Sequence, residues 1–361
     1  MDRSQGLQVA AGAALRLSVI TAIFRTVADS SFRAVETPGF EAGVSSGWPA
    51  LTAALKMQGS PLKRWLQDRF PASNAKLVFQ RYRESVGPLL VPASAALTGG
   101  AGTIGGAFDH LVRFLIQAEP DLRLPAIGAA RCGGRMPRAL SELAVVLGPT
   151  DPSYDRQHDS WQTPSSVCPD LVARGCWALC LLTELSRGVP PESSPLAELD
   201  ARTVTGQDLL CLASIPALEQ LAALRTQAEH TLLPFLPGQP GTWAVGPTFE
   251  GSTLMNADAD LILDGTLVEI KTTLGTRRAD GTYYAALNSQ TLFQLLGYVL
   301  LDFGDAFSIN ELALFNARYG HLATWELHVL LDKLAGHRVD LAALRAEFQQ
   351  FLREGAKLMV P

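Results

Sequence analysis

Apolar residues recur at alternate positions in two short runs, residues 258–263 and residues 266–271, which meet at Asp264-Gly265. Alternation with a period of two is typical of β-strands. A two-residue Asp-Gly connection between such runs favours a hairpin with a type I′ turn. The pattern therefore predicts a β-hairpin in which Leu263 pairs with Thr266.

Apolar periodicity predicts a mixed set of elements on either side of this hairpin. A strand is expected before it, at residues 242–249. A polar loop follows the hairpin at residues 275–280. The remaining predicted elements are a helix at 290–303, strands at 311–318 and 322–327, and a helix at 330–356. This order indicates an α/β domain, which we place at residues 226–361.

The first 225 residues show mostly helical spacing, with predicted helices at residues 7–30, from residue 107 onward, at 171–187 and within 207–236. Residues 85–108 carry no charge but contain two prolines and six glycines. A segment broken in this way is typical of a glycine-rich loop and not of a membrane-spanning helix. We therefore expect a helical region at residues 1–225, which binds nucleic acid or a partner, and no membrane association.

The predicted hairpin register places four charged residues on one face, where Asp260 lies opposite Glu269 and Asp258 lies opposite Lys271. The other face is apolar and suits a core. Two carboxylates directly opposite each other repel unless a cation lies between them. Carboxylate oxygens suit Mg²⁺ or Mn²⁺, and Lys271 could orient or deprotonate a metal-bound water. The alternative is an ordinary hairpin whose charged face is solvated.

Asp260 followed by Glu269-Ile270-Lys271 resembles the motif of the PD-(D/E)XK nuclease superfamily. Downstream, Gln294 and Tyr298 resemble the Gln-Xaa-Xaa-Xaa-Tyr motif of its RecB-type branch. The chain departs from the pattern at Ala259, where the superfamily name has proline. The resemblance covers about residues 240–330 and does not extend to the first two-thirds of the chain.

This resemblance implies a restriction-endonuclease-like mixed-sheet core and Mg²⁺-dependent hydrolysis of nucleic-acid phosphodiesters, with DNA favoured over RNA. It implies that Asp260, Glu269 and the backbone carbonyl of Ile270 hold the metal and that Lys271 positions the attacking water. Gln294 and Tyr298 are then expected to support the site or the strand being cut. Relatives commonly supply one more acid from a preceding helix, for which Glu229 and Glu250 compete; either could equally be a surface residue.

Several basic residues are candidates for contact with a polyanion. Arg277, Arg278 and Arg318 would form a basic rim around an acidic site. Between residues 56 and 83, seven basic residues, including Lys63 and Arg64, alternate with aromatic residues. Such a stretch suits phosphate contact and base stacking. An amphipathic helix pair with core aromatics and solvated charges explains it equally well.

Composition limits these hypotheses only loosely. The chain is 47% hydrophobic and 18% charged, which is ordinary for a globular protein, and its net charge of −5 argues against a protein that coats nucleic acid nonspecifically. Five cysteines without a CxxC pair suit a reducing cytoplasm. The resemblance to RecB-type nucleases implies that an iron–sulfur cluster, where one occurs, uses cysteines after the nuclease motif. No cysteine follows Cys211, so we expect no such cluster. Cys176 and Cys180 lie on an apolar helical stretch and are expected to be buried.

Two other functions remain open from the sequence. The chain could be a nucleic-acid-binding or scaffold protein that keeps the nuclease fold without cleavage. Alternatively, the helical region could bind a protein partner, with the nuclease as its effector in DNA processing or in genome defence, for example against phage.

Overall fold

The structure is a computed structural model, and it describes residues 47–95, 97, 100–116, 122–148, 153–155, 160–162, 168–236 and 244–359. The chain divides into two compact units. One contains the described residues of Ser94–Asp155 and Trp161–Arg225, and the other those of Gly39–Ala93, Arg156–Ser160 and Thr226–Pro361. The helix predicted at residues 7–30 lies outside the described residues.

Twelve α-helices occur in the described ranges: α1 (Leu51–Lys56), α2 (Pro61–Arg69), α3 (Ala72–Ser85), α4 (Ala101–Ile116), α5 (Arg123–Cys132), α6 (Met136–Leu147), α7 (Pro169–Ser186), α8 (Gly206–Cys211), α9 (Ile215–Gln227), α10 (Ser289–Leu301), α11 (Leu327–Ala335) and α12 (Leu341–Met359). The strands there are β1 (Ser153–Asp155), β2 (Ser160–Gln162), β3 (Ala244–Val245), β4 (Leu261–Leu263), β5 (Thr266–Lys271), β6 (Thr276–Arg277), β7 (Tyr283–Tyr284), β8 (Glu311–Asn316) and β9 (His321–Glu326). The protein is thus α/β, with a mostly helical N-terminal part.

The first unit is helical, and α7 is its central element. This helix packs against α4 and α5. The approach to α5 is close because Gly128 has no side chain; a Cβ there would overlap the carbonyl of Leu182. Cys176 and Cys180 of α7 are buried, as predicted, and all five cysteines are free thiols.

The second unit is built on a five-stranded mixed sheet with the order β3-β4-β5-β8-β9. Only β5 and β8 are parallel. The predicted hairpin is confirmed, since Leu263 pairs with Thr266 and Leu261 pairs with Val268. Asp264 and Gly265 have φ of 40° and 81°, the positive values that a type I′ turn requires at both central positions.

Both faces of the hairpin are buried, whereas the sequence pattern assigned only one of them to a core. Leu261 and Val268 are buried on the face that was expected to be apolar. On the opposite face, Ile262 and Leu267 belong to the main core cluster of this unit, together with residues of α10. Glu269 and Lys271 therefore continue an apolar face, because α10 covers the sheet on that side.

Residues 47–93 belong to the second unit, so the predicted boundary at residue 225 does not describe this segment. The indole nitrogen of Trp48 donates to the carbonyl of Leu352 at 2.8 Å. Leu51 packs against Gly297 of α10. The helical pattern of this segment was visible in the sequence, but periodicity does not show which sheet an apolar helix face covers.

Several element boundaries differ from the sequence prediction. The helix α4 begins at Ala101, within the predicted glycine-rich loop. The predicted loop at 275–280 contains part of the β6–β7 ribbon. One predicted C-terminal helix is two, because Gly336 ends α11 with a φ of 79°. Among the described residues, no helix is long and apolar enough to cross a membrane.

Candidate active site

The site begins where the hairpin ladder ends. Strand β4 starts at Leu261, so the backbone N–H of Ile270 has no strand partner on that side. The side chain of Asp260 takes this place, since its Oδ2 accepts a hydrogen bond from Ile270 N at 2.6 Å. This bond fixes the Asp260 carboxylate at the end of β5, beside Glu269.

Four side chains form one hydrogen-bonded group at this end of the sheet. The ammonium of Lys271 donates to Glu269 Oε1 at 2.5 Å and to Gln294 Oε1 at 3.0 Å. The amide nitrogen of Gln294 lies 2.9 Å from Glu269 Oε1 and 2.7 Å from the hydroxyl of Tyr298. The structure therefore brings Glu269, Lys271, Gln294 and Tyr298 together, as the sequence predicted.

This group is buried at one end and open at the other. Glu269 is 2% exposed, Gln294 is 6% exposed and Tyr298 is 3% exposed. The side chain of Lys271 is 25% exposed. A buried carboxylate is costly unless it is paired and hydrogen-bonded, and Lys271 and Gln294 provide both forms of compensation. Solvent thus reaches the group at Lys271.

Burial and charge shift the pKa values of two groups, in opposite directions for Lys271 and in the same direction for Tyr298. Burial works to lower the pKa of Lys271, but the carboxylates of Glu269 and Asp260 outweigh it, and the pKa is raised. Burial raises the pKa of Tyr298 well above its usual range, and the same two carboxylates add to this rise. Lys271 is therefore an ammonium at neutral pH, and it donates hydrogen bonds to its neighbours.

Helix α10 holds Gln294 and Tyr298 in place through its cap and its packing. The side chain of Asn288 accepts a hydrogen bond from Thr291 N at 2.8 Å, which fixes the start of the helix. Gln294 and Tyr298 are four residues apart and so lie on one face. The ring of Tyr298 stacks on Phe249 at 5.7 Å between centroids. The two polar side chains are therefore rigid parts of a largely apolar helix.

The two candidates for an additional acid lie in different places. Glu250 is exposed on the 3₁₀ turn Glu250–Thr253, and its carboxylate lies next to Gly304, beyond the C-terminal end of α10. Glu229 lies in a π-helical turn, Ala228–Leu232, whose Thr231 hydroxyl donates to the carbonyl of Gly320. The hydrogen-bonded group around Lys271 includes neither acid.

Of the predicted basic rim, Arg277 and Arg278 are exposed on the two-stranded ribbon of β6 and β7, which connects β5 with α10. The guanidinium of Arg278 lies 5.0 Å from the ring centroid of Tyr284. Both arginines thus keep their charge in solvent, on an element that joins two parts of the site.

Lys63 and Arg64 lie on α2, where Arg64 is exposed and Lys63 is half-buried. The aromatic residues nearest to them, Trp65 and Phe70, are buried in the core. The alternative of an amphipathic helix with core aromatics therefore describes this stretch, and these rings are not available to stack on bases.

Arg318 does not belong to a basic rim. It is 3% exposed, and its guanidinium donates to the carbonyls of Thr272 at 2.6 Å and Val91 at 3.0 Å. The hydroxyl of the next residue, Tyr319, donates to the carbonyl of Leu274 at 2.6 Å. Arg318 was predicted to be exposed because a lone arginine in a short connection usually is. Here it fixes the segment that follows Lys271.

Sequence reasoning missed Asn316, the last residue of β8. Asn316 is the register partner of Lys271 on one side and of His321 on the other. It is 4% exposed. The available signal was a polar residue at the end of an apolar strand, residues 312–316, but its position beside Lys271 depends on a parallel pairing that the sequence does not reveal.

Comparison with protein-family models, with curated proteins and with solved structures gives no match for this chain. Within the described ranges, no group of three or more histidine, cysteine, aspartate or glutamate side chains is arranged to hold a metal ion.

Proposed function

We propose that this chain is a metal-dependent nuclease with a restriction-endonuclease-like core, which hydrolyses phosphodiester bonds. The observation that carries the proposal is the hydrogen-bonded group of Glu269, Lys271, Gln294 and Tyr298 next to Asp260, at the end of β5. Burial of polar groups of this kind costs free energy unless each group is hydrogen-bonded. DNA is favoured over RNA as the substrate by the motif resemblance alone.

The residues present fit a Mg²⁺ or Mn²⁺ ion. Asp260, Glu269 and the backbone carbonyl of Ile270 would hold it, and they offer oxygen atoms alone, which hard cations prefer. Mg²⁺ is commonly bound by one or two carboxylates plus water and substrate phosphate oxygens, so two acids suffice. Such an ion, when bound, neutralises charge on the phosphate and makes the phosphorus easier to attack.

The side chains around the ion supply position and charge. The Lys271 ammonium orients the attacking water and offsets the negative charge that develops on the phosphate. Gln294 holds both Lys271 and Glu269, and Tyr298 holds the Gln294 amide in the orientation that makes both bonds. The water oxygen attacks phosphorus and releases a proton to solvent, one P–O bond of the backbone breaks, and the leaving oxygen takes a proton from solvent.

A cleavage assay tests the proposal. Plasmid DNA, single- and double-stranded oligodeoxynucleotides and RNA are incubated with the full chain in Mg²⁺, in Mn²⁺ and in EDTA. We expect metal-dependent cleavage of at least one substrate, and a loss of about 100-fold or more in Asp260→Ala and Lys271→Ala. Asp264→Asn at the hairpin turn and Lys76→Ala on the exposed side of α3 are the matched controls, and both should keep wild-type activity.

One observation favours a second function, a nucleic-acid-binding protein that does not cleave. The ion pair between Lys271 and Glu269 already compensates this carboxylate without a metal. In a non-cleaving protein, the wild type, Asp260→Ala and Lys271→Ala would bind nucleic acid equally and none would cleave it. That result, together with no shift of the melting temperature by Mg²⁺, would favour a nucleic-acid-binding protein over a nuclease.

A further inference from the structure

Asn316 lies beside Lys271 on a second wall of the site. The two residues are directly paired across the parallel strands β5 and β8, and paired residues of adjacent strands point to the same face. Both occupy the carboxyl ends of their strands, which is where ligands bind in open sheets of this kind. Asn316 therefore lies on the same face of the sheet as Lys271, on the neighbouring strand.

The described residues satisfy only part of the hydrogen-bonding capacity of the Asn316 amide. Burial raises the pKa of Tyr82, and a hydrogen bond with the Asn316 side chain lowers it in part. The amide oxygen, Oδ1, is buried and has no hydrogen-bond partner among the described residues. Buried polar atoms are nearly always paired, so this acceptor can take a donor that the described residues do not supply.

The surroundings hold Asn316 still. Tyr82 belongs to α3 and is 3% exposed, so its ring and hydroxyl are fixed in the core. The Ser85 hydroxyl lies 3.1 Å from Nε2 of His321, the register partner of Asn316 on β9. Arg318, two residues after Asn316, is bound to the carbonyls of Thr272 and Val91. The amide oxygen therefore has a defined position.

We propose that Asn316 is a positioning residue whose Oδ1 accepts a hydrogen bond from the attacking water, while Lys271 donates one to the same water. This inference rests on the proposed nuclease function. The water then has one hydrogen directed to Asn316 and one lone pair directed to Lys271, and its other lone pair attacks phosphorus. The new P–O bond forms as the bond to the leaving oxygen breaks, and the displaced proton goes to solvent. Two fixed partners restrict the water to one orientation.

The test compares three variants of the full chain under single-turnover conditions with Mg²⁺ and the best substrate found for the wild type. Asn316→Leu keeps the size of the side chain and removes the acceptor. Asn316→Asp keeps an acceptor oxygen at the same place. Asn310→Ala, an exposed asparagine just before β8, is the matched control. Substrate affinity, the cleavage rate and the melting temperature are measured for each.

We expect Asn316→Leu to lower the cleavage rate about 10- to 100-fold without weakening substrate binding. Its melting temperature should change little, because removal of the buried acceptor without a partner offsets the loss of the hydrogen bond with Tyr82. Asn316→Asp should recover at least part of the rate, and Asn310→Ala should match the wild type. A purely structural asparagine would instead lose stability in parallel with rate.

Three outcomes overturn the inference. A wild-type cleavage rate in Asn316→Leu shows that the water does not need this acceptor. A rate loss that follows the loss of folded protein in both Asn316 variants shows a structural role. Absence of cleavage by the wild type overturns both the proposed nuclease function and this inference. The first two outcomes contradict the inference alone and do not contradict the nuclease function.

Discussion

The ammonium of Lys271 lies 2.5 Å from Oε1 of Glu269, and both side chains leave the same face of β5. Glu269 is buried and Lys271 is partly exposed. The pair is therefore asymmetric: loss of the lysine leaves a buried carboxylate, while loss of the glutamate leaves an amine that can reach solvent.

This asymmetry predicts unequal effects on stability. We expect Lys271→Met to lower the free energy of unfolding by about 2 kcal/mol, below the 3–5 kcal/mol typical of a fully buried pair because Lys271 is partly solvated. Glu269→Gln should cost less, and the double variant should recover part of the loss of Lys271→Met. Urea denaturation at constant m-value measures all three. Equal losses in the two single variants would contradict the asymmetry.

The same pair predicts a dependence on alkaline pH. The pKa of Lys271 in the folded chain is raised above its ordinary value of 10.5, so the folded state holds this proton more tightly than the unfolded state. Its contribution to stability is complete below about pH 10.5 and is lost as pH rises through the folded pKa. We expect the wild type to lose stability above pH 10.5 more steeply than the double variant Lys271→Met, Glu269→Gln. Parallel curves of the free energy of unfolding against pH for the two proteins would show that another group causes the alkaline loss of stability.

Tyr298→Phe tests the link between α10 and the site. The change removes the hydroxyl that lies 2.7 Å from the Gln294 amide nitrogen and keeps the ring that stacks on Phe249. We expect a loss of about 1 kcal/mol in stability and a fall in cleavage rate with little change in substrate affinity. Tyr283→Phe, on the ribbon, is the control. A fall in affinity alone would assign Tyr298 to substrate binding.

The exposed arginines of the ribbon should contact phosphate if the substrate is a nucleic acid. Because each phosphate contact adds about 0.7 to 0.9 to the slope of log affinity against log salt, we expect Arg277→Gln and Arg278→Gln each to reduce that slope by nearly 1. Arg338→Gln and Arg353→Gln, at exposed positions on other elements, should leave it unchanged. The binding measurement uses the Asp260→Ala variant, so that cleavage does not interfere.

Arg318 should behave differently from these surface arginines. Its guanidinium binds the carbonyls of Thr272 and Val91, so Arg318→Met should lower the free energy of unfolding by about 2 kcal/mol and leave the salt dependence of binding intact. If Arg318→Met instead reduced the slope of log affinity against log salt and kept wild-type stability, the predicted contact between Arg318 and phosphate would be supported.

The parts of the site that the sequence predicted depend on short-range signals. Asp264-Gly265 sets the hairpin register, and the spacing of Gln294 and Tyr298 sets a helix face. These patterns span few residues and require no knowledge of distant partners. The charged face and the glutamine–tyrosine helix were therefore predictable, and so was most of the order of strands and helices after residue 244.

The parts that the sequence did not predict depend on long-range pairing. Asn316 lies beside Lys271 only because β5 and β8 pair in parallel across the intervening ribbon and helix. Arg318 is buried only because residues 90–91 lie against it. Composition and periodicity describe each segment by itself, so they give neither the neighbour of Asn316 nor the burial of Arg318.

The bond from Trp48 to Leu352 joins residues that are 304 positions apart. A ribosome makes α1–α3 first, then the helical unit, and only afterwards the sheet that these three helices cover. For most of translation, their apolar faces lack the residues of this unit that cover them in the folded chain. Tyr82 cannot meet Asn316 until both have been synthesised, so the contact between these two residues forms only after β8 has emerged.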